Sequence, residues 1–425
     1  MTQISENNSN SKKGLAAMKF VFRSLRYRNY RLFFSGQIIS LIGTWMQTIA
    51  MSWIVYRITS SPLALGVVAF SSQIFNFILG PFMGVFVDRY NRRNILIITQ
   101  ILSMLQAFIL FFLVTKGLLV VWEIIVLSMF LGIINSFDVP ARHSFVVDIV
   151  EKKEDLGNAI ALNSFMFNIA RLIGPSIAGI IIAFAGEGSC FLINGLSYIA
   201  VIIALLIMKI KPKNIKKSEG AILHELKQGL KYAFGSVPIK SILLLTSITS
   251  LMGMSYAILM PVFAVHIFGG GPQDYGFLMG AVGVGALLGT IYLASHTSIV
   301  SLTKKITVAS AVFGASLIIF SLSKNLWFSV LVLTGIGFSM LVQLASSNTV
   351  LQTIIDDDKR GRVMSLYTMA FMGVSPFGSL LAGALASRIG APNTLIIGGA
   401  SCIFGSYLFA RTEHFLKRAV LAARF

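Results

Sequence analysis

Charge is scarce in this chain, at 12% of 425 residues, so chemistry is to be sought where it gathers. The densest cluster is Gly84-Val85-Phe86-Val87-Asp88-Arg89-Tyr90-Asn91-Arg92-Arg93, which closes one long apolar run (63–87) and precedes another (94–115). Two membrane-length runs with so little between them leave only a turn in water, and basic residues are held on the cytoplasmic side. Asp88, Arg89, Arg92 and Arg93 are therefore expected there. Gly84, one turn before Asp88, lets a neighbouring helix come close, and Asn91 tolerates a left-handed turn.

Two further charges are expected inside the membrane. Arg171 falls near the middle of an apolar run, where a guanidinium costs at least about 3 kcal/mol and is seldom placed without a purpose. Glu123 lies near the outer end of the preceding run, within reach of an extended arginine. In the functional reading, Glu123 is the protonatable group and Arg171 its partner or a docking point for an anionic substrate. Desolvation raises such a carboxyl's pKa and a nearby arginine lowers it, so proton and substrate compete. In the structural reading the arginine pairs statically and Glu123 sits in a wet vestibule.

Other chemistry finds no support in the pattern. No G-x-x-x-x-G-K-[ST] loop is present to cradle ATP. His143, His224, His266, His296 and His414 are scattered without metal-ligand spacing, and no nucleophile constellation appears. Neither an enzyme, a metal centre nor a cofactor is expected.

Of the whole chain 56% is hydrophobic, too much for polar surface to cover in water. The net charge of +19 would suggest nucleic acid if it lay on one soluble face. Instead, of 35 Lys and Arg only Arg57, Lys116, Lys324 and Arg388 fall on the other side of the expected topology, and Arg171 within it. That asymmetry orients a membrane protein with both termini in the cytoplasm, and excludes nucleic acid as a partner. Apolar runs at 33–56, 63–87, 94–115, 119–141, 158–184, 189–208, 240–266, 275–295, 305–322, 326–349, 362–386 and 391–410 predict twelve helical spans. Residues 1–14 are polar and expected to be disordered, and no cleaved signal peptide is expected. Lys19–Arg31 mixes basic and aromatic residues as an interfacial helix would. Cys190 and Cys402 are too few for a disulfide framework and are expected to be inert.

The two halves repeat. Gly157, Leu162, Gly174, Ala178 and Gly179 recur at one constant offset as Gly361, Leu366, Gly378, Ala382 and Gly383. Gly43, Pro62 and Gly66 recur as Gly253, Pro272 and Gly276. The expected organisation is a cytoplasmic tail (1–32), a six-helix bundle (33–208), a cytoplasmic linker (209–239), a second bundle (240–410) and a tail (411–425). A pseudo-two-fold axis along the membrane normal would relate the bundles across a central cleft. Trp45, Gln47, Asn76, Tyr256 and Gln343 are expected to line it, giving an apolar cavity with a few fixed polar contacts.

The Gly84–Arg93 decapeptide resembles the signature loop of the major facilitator superfamily, between its second and third spans. The phrases Arg31–Gly36, Ser61–Gly66, Asp138–Arg142 and Arg362–Tyr367 resemble the branch holding the enterobactin exporter and related drug-efflux proteins. The resemblance runs from about Phe22 to Ala410. It implies that Asp88 faces the amino end of the eleventh span and that Arg89 or Arg92 reaches Asp138, latching the halves on the cytoplasmic side. Gly174-Pro175-Ser176-Ile177-Ala178-Gly179 resembles in part the fifth-span antiporter signature, with Ala170 and Ala178 where glycines belong, and Pro175 is expected to kink its helix.

The resulting expectation is an all-α major facilitator protein of the bacterial cytoplasmic membrane, a monomer in the lipid bilayer. It would export a small organic molecule, a siderophore or drug-like compound, by alternating access against entering protons. The alternatives are a proton-coupled importer of a siderophore and a non-transporting membrane scaffold or sensor.

Overall fold

The computed structural model describes residues 23–209, 222–295, 298–356 and 359–422, without the side chains at 81, 84, 85, 88, 153 and 222–228. The expected disorder of residues 1–14 lies outside the described residues, as does the beginning of the interfacial helix. Among the described residues the chain is built of helices.

Eleven helices are long and apolar enough to cross a membrane, and one of them, Leu156–Ile207, holds two spans. It breaks at Gly186, whose φ of 76° and ψ of 169° suit a residue without a side chain. Gly390, at the same repeat offset, adopts φ 85° and ψ 155° between the last two spans. Similar geometry at equivalent places makes the break a span boundary, and gives twelve spans. These are α1 (Arg28–Thr59), α2 (Pro62–Arg89), α3 (Arg92–Thr115), α4 (Val121–Ile149), α5 (156–185), α6 (187–207), α7 (Val237–Ile267), α8 (Pro272–Ala294), α9 (Ile299–Leu322), α10 (Leu326–Ile354), α11 (Arg360–Ile389) and α12 (Ala391–Ala410). A linker helix, Ile222–Gly235, precedes α7, and a tail helix, Glu413–Ala422, follows α12.

The end carrying the α2–α3 turn is here the basic end, the opposite one the far end. The far-end turns are tight. The described residues with positive φ, Ser60, Gly117, Gly186, Gly269 and Gly390, all lie in them. Local capping starts the helices. The Ser61 hydroxyl accepts from Ala64 N ahead of Pro62 at the first position of α2. Asn91 is not left-handed as expected. It sits at φ −67° and ψ 110° as the N-cap of α3, accepting from the N–H groups of Arg93 and Asn94.

Two helix crossings join the bundles, and the internal repeat generates both. A Cβ added at Gly66 of α2 would stand 2.8 Å from the Ser379 carbonyl of α11, and one at Gly383 2.7 Å from the Pro62 carbonyl. At the other crossing, one added at Gly276 of α8 would stand 2.7 Å from the Pro175 carbonyl of α5, and at Gly179 2.5 Å from the Pro272 carbonyl. Gly66 with Gly276, Gly179 with Gly383 and Pro62 with Pro272 are the pairs that the sequence repeats. Without a hydrophobic drive between helices in lipid, backbone contact over small residues holds them. Both crossings lie in the far half. They continue inward as far as Gly283 against Leu172, and as Phe77 edge-on to Phe377 at 5.6 Å. Below that level a Cβ on Gly80 or Gly157 would meet no neighbouring element within 4 Å.

Candidate substrate site at the bundle interface

Arg171 leaves α5 at the lower edge of the α5–α8 crossing, one residue before Leu172. Its guanidinium lies 5.9 Å over the Trp45 ring of α1 and 3.9 Å from the Met340 sulfur of α10. It also lies within interaction range of the Tyr256 hydroxyl of α7. Spans of both bundles thus converge on one cation. Trp45 in turn stands edge-on to Phe167, with ring centroids 5.8 Å apart. No carboxylate pairs with Arg171 among the described residues. An aromatic face and a sulfur supply part of what water would have given, and most of the five guanidinium donors stay free for a ligand's oxygens.

Glu123 is not that carboxylate. It sits in the first turn of α4, where its side chain accepts from the Val120 N–H at 3.2 Å and caps its own helix. The first four N–H groups of a helix need acceptors, and a third-position glutamate is the nearest one. The expected Glu123–Arg171 pair is therefore absent.

The charged turn also differs from expectation in its partners. Asp138, 2% exposed, accepts from Thr99 Oγ1 and Gln100 Nε2 of α3, each at 2.9 Å, and pairs with Arg142 one turn along its own helix. It lies eleven residues before the end of α4, too deep for a residue of the turn when a nearer cation is available. Arg92 instead pairs with Asp148 at 2.6 Å. Arg93 donates to the carbonyls of Leu205 and Leu206, at 2.7 and 2.9 Å, closing the end of α6. Arg89 is exposed. Gly84 and Asp88 lie in the last turns of α2 rather than in a loop, and the contacts expected of Asp88 lie outside the described residues.

Of the expected cavity residues, Trp45 is half-buried beside Arg171, and Asn76 is half-buried on α2. Gln47 is not in the cleft. It is 3% exposed and belongs to a chain inside the first bundle, donating to Gln106 at 2.9 Å and accepting from Asn194 at 2.7 Å. Gln343 is fully buried and donates to Thr249 at 3.2 Å within the second bundle, and Tyr256 is 1% exposed. Polar residues on apolar helices are as readily consumed between helices of one bundle as displayed to a cleft. Pro175 lies within a continuous helix. Backbone dihedrals stay helical through Gly174 and Pro175, and Gly174 packs against Trp45 and Ile42 of α1.

Several ion pairs carry signals readable in the sequence. Arg142 stands four residues after Asp138, an ion-pairing interval on a helix. Glu187, 7% exposed beyond the Gly186 break, pairs with Arg57 at 2.8 Å. Ahead of α5, Asp155 accepts the Tyr27 hydroxyl at 2.5 Å and pairs with Arg23 and Arg26, pinning the chain before α1 to the start of α5. The hydrogen bond from Tyr27, with the charges of Arg26 and Arg23, holds its carboxyl below the usual carboxylate range.

Two facing glycine crossings join the repeated bundles beside Arg171, and the sequence pattern of transmembrane secretion effectors matches residues 21–418. The chain belongs to that family. Across 390 residues this transporter is 26% identical to the staphyloferrin A transporter of Staphylococcus aureus, covering 91% of this chain and 97% of the relative. It is 22% identical over 387 residues to macrolide efflux protein A of Streptococcus pyogenes, covering 89% and 95%. Among solved structures, a bacterial homologue of the human lysosomal transporter Spinster, in an inward-facing and unoccupied conformation, superposes with a TM-score of 0.68 at 14% identity. That match covers 94% of this chain and 98% of the other. The fold is thus the major facilitator fold, and the family is one of transporters, not enzymes.

Proposed function

We propose that this transporter exports a small amphipathic organic molecule bearing a carboxylate, by alternating access against entering protons. The observation that carries the proposal is Arg171, a cation with no ion-pair partner among the described residues, held where α1, α5, α7 and α10 meet. Such a residue facing a cleft calls for an anion. The names of two relatives, a staphyloferrin A transporter and a macrolide efflux protein, support a small organic substrate, and the second supports an outward direction.

In this proposal the basic end is cytoplasmic, since the positive-inside bias orients the chain so, and the bundles span 33–208 and 240–410 as one monomer. In this reading the glycine crossings close the outer mouth. The latch of Asp88 with the start of α11 belongs to the opposite state, when the inner halves come together. Asp138 replaces Glu123 as the proton acceptor. It is the only described acid more than a turn inside a span, and Arg142 beside it can exchange its company for another anion's when a proton arrives.

Reconstituted vesicles with an imposed pH gradient test this. Arg171→Gln should reduce transport of a polycarboxylate siderophore about tenfold to a hundredfold, the worth of hydrogen bonds to a charged group, and leave a neutral macrolide little affected. Asp138→Asn should abolish pH-driven flux and spare exchange. Equal losses for charged and neutral substrates in Arg171→Gln would remove the anchoring role.

A further inference from the structure

At the basic end the linker helix lies against the start of α11, and a cavity of about 560 Å³ opens between them. Lys231 and Tyr232 of the linker helix, Ser236 of the turn into α7, Lys359 of the α10–α11 turn and Arg362 in the first turn of α11 line it. The backbone approaches closely there, since a Cβ on Gly229 would stand 3.1 Å from Arg362 Cβ. Among the described residues its cations outnumber its carboxylates. Asp356 accepts the Tyr232 hydroxyl at 3.1 Å and pairs with Lys359 at 3.2 Å, whose ammonium also lies 4.7 Å over the Tyr232 ring. Lys231 and Arg362 have no carboxylate partner among the described residues.

A forked guanidinium, an ammonium and a hydroxyl around a concave site match a tetrahedral oxyanion. The flanking surface identifies its carrier. Leu230 and Phe234, one turn apart on the linker helix, and Val237 at the start of α7 are 39%, 52% and 45% exposed, and Lys240 reaches back to within 6.0 Å of the Phe234 ring. An apolar stripe edged by lysines beside the end of a span lies in the plane of the bilayer interface. A soluble phosphate would have no use for it.

We propose that this cavity binds the phosphate of an anionic phospholipid, whose acyl chains run along Leu230, Phe234 and Val237. A headgroup held there ties the connector between the bundles to α11, whose far half forms the crossing with α2. It therefore favours the far-closed conformation in which the cavity is formed. The site is separate from Arg171 and stands whether or not the substrate is a carboxylate.

The test is native mass spectrometry of the full-length protein titrated with phosphatidylglycerol and with phosphatidylcholine of the same chains. The protein should prefer phosphatidylglycerol. Lys231→Ala and Arg362→Ala should each weaken that affinity about fivefold and together about thirtyfold, at the worth of a cation beside an anionic surface. Arg362→Lys, which keeps the charge, should retain most of it and so separates binding from folding. The exposed pair Lys304→Ala/Arg418→Ala, which removes as much charge elsewhere, should bind as the wild type. Equal affinity of Lys231→Ala/Arg362→Ala and wild type would overturn the proposal. So would inorganic phosphate that displaces the lipid at constant ionic strength, which would make the site one for soluble phosphate.

Discussion

Replacing Gly179 by alanine isolates the contact that shuts the far end. The new Cβ would stand 2.5 Å from the Pro272 carbonyl oxygen and 3.0 Å from Gly276 Cα, and both obstacles are backbone. Non-bonded carbon contacts settle near 3.5–4.0 Å, so α5 and α8 must part by several tenths of an ångström or more. Overpacking of this kind costs about 1–3 kcal/mol. If the crossing exists only in the far-closed state, that cost becomes a bias toward the far-open state of about 5- to 150-fold. Gly383→Ala should behave alike, because its Cβ would stand 2.7 Å from the Pro62 carbonyl and 3.0 Å from Gly66 Cα. The crossings share no residue, so their costs should add. Gly80→Ala and Gly157→Ala are the controls, with no atom within 4 Å of the new methyl.

The assay is pulsed electron paramagnetic resonance between spin labels at Leu118 and Trp327, 57% and 71% exposed at the far end of opposite bundles. The native cysteines are buried and would not label. Gly179→Ala and Gly383→Ala should each populate a longer distance, and the controls should not. An unchanged distribution in both variants, with the proteins folded, would refute the view that backbone contact over these glycines holds the far end shut.

Arg142→Ala leaves Asp138 buried without its counter-ion and should lower stability by about 3–5 kcal/mol. Thermal unfolding in detergent reads it, and Asp138→Asn in the same chain should restore part of the loss. Arg57→Ala strands Glu187 and should cost about 1–3 kcal/mol, whereas Arg57→Lys should cost less. Asp155, with its folded pKa depressed, stabilises the segment before α1 above its unfolded value of about 4 and loses that contribution as pH falls through the folded one. Proteolysis of that segment should accordingly be slow at pH 7 and accelerate only below about pH 4, while Asp155→Asn should be cleaved readily throughout. Acceleration well above that pH in the wild type would count against the Tyr27–Asp155 tether.

The sequence alone determined the membrane, the twelve spans and the duplication, because these follow from apolar run length and from small residues recurring at a fixed offset. It even named the four glycines of the crossings, though not that Gly66 meets Gly383 and Gly179 meets Gly276. Those meetings depend on how two bundles face each other, which no one-dimensional pattern states. Arg171 was legible for the same reason as the spans, since charge in a long apolar run stands out by its cost. Its partners were not. Glu123 lies near in depth yet turns back on its own helix, where free N–H groups compete for it. Asp138 takes the arginine four residues away before any from the turn can reach it, and Gln47 and Gln343 spend their amides within their own bundles. Which polar groups remain free for a ligand is decided only when every nearer donor and acceptor has been placed, and that is a property of the assembled helices.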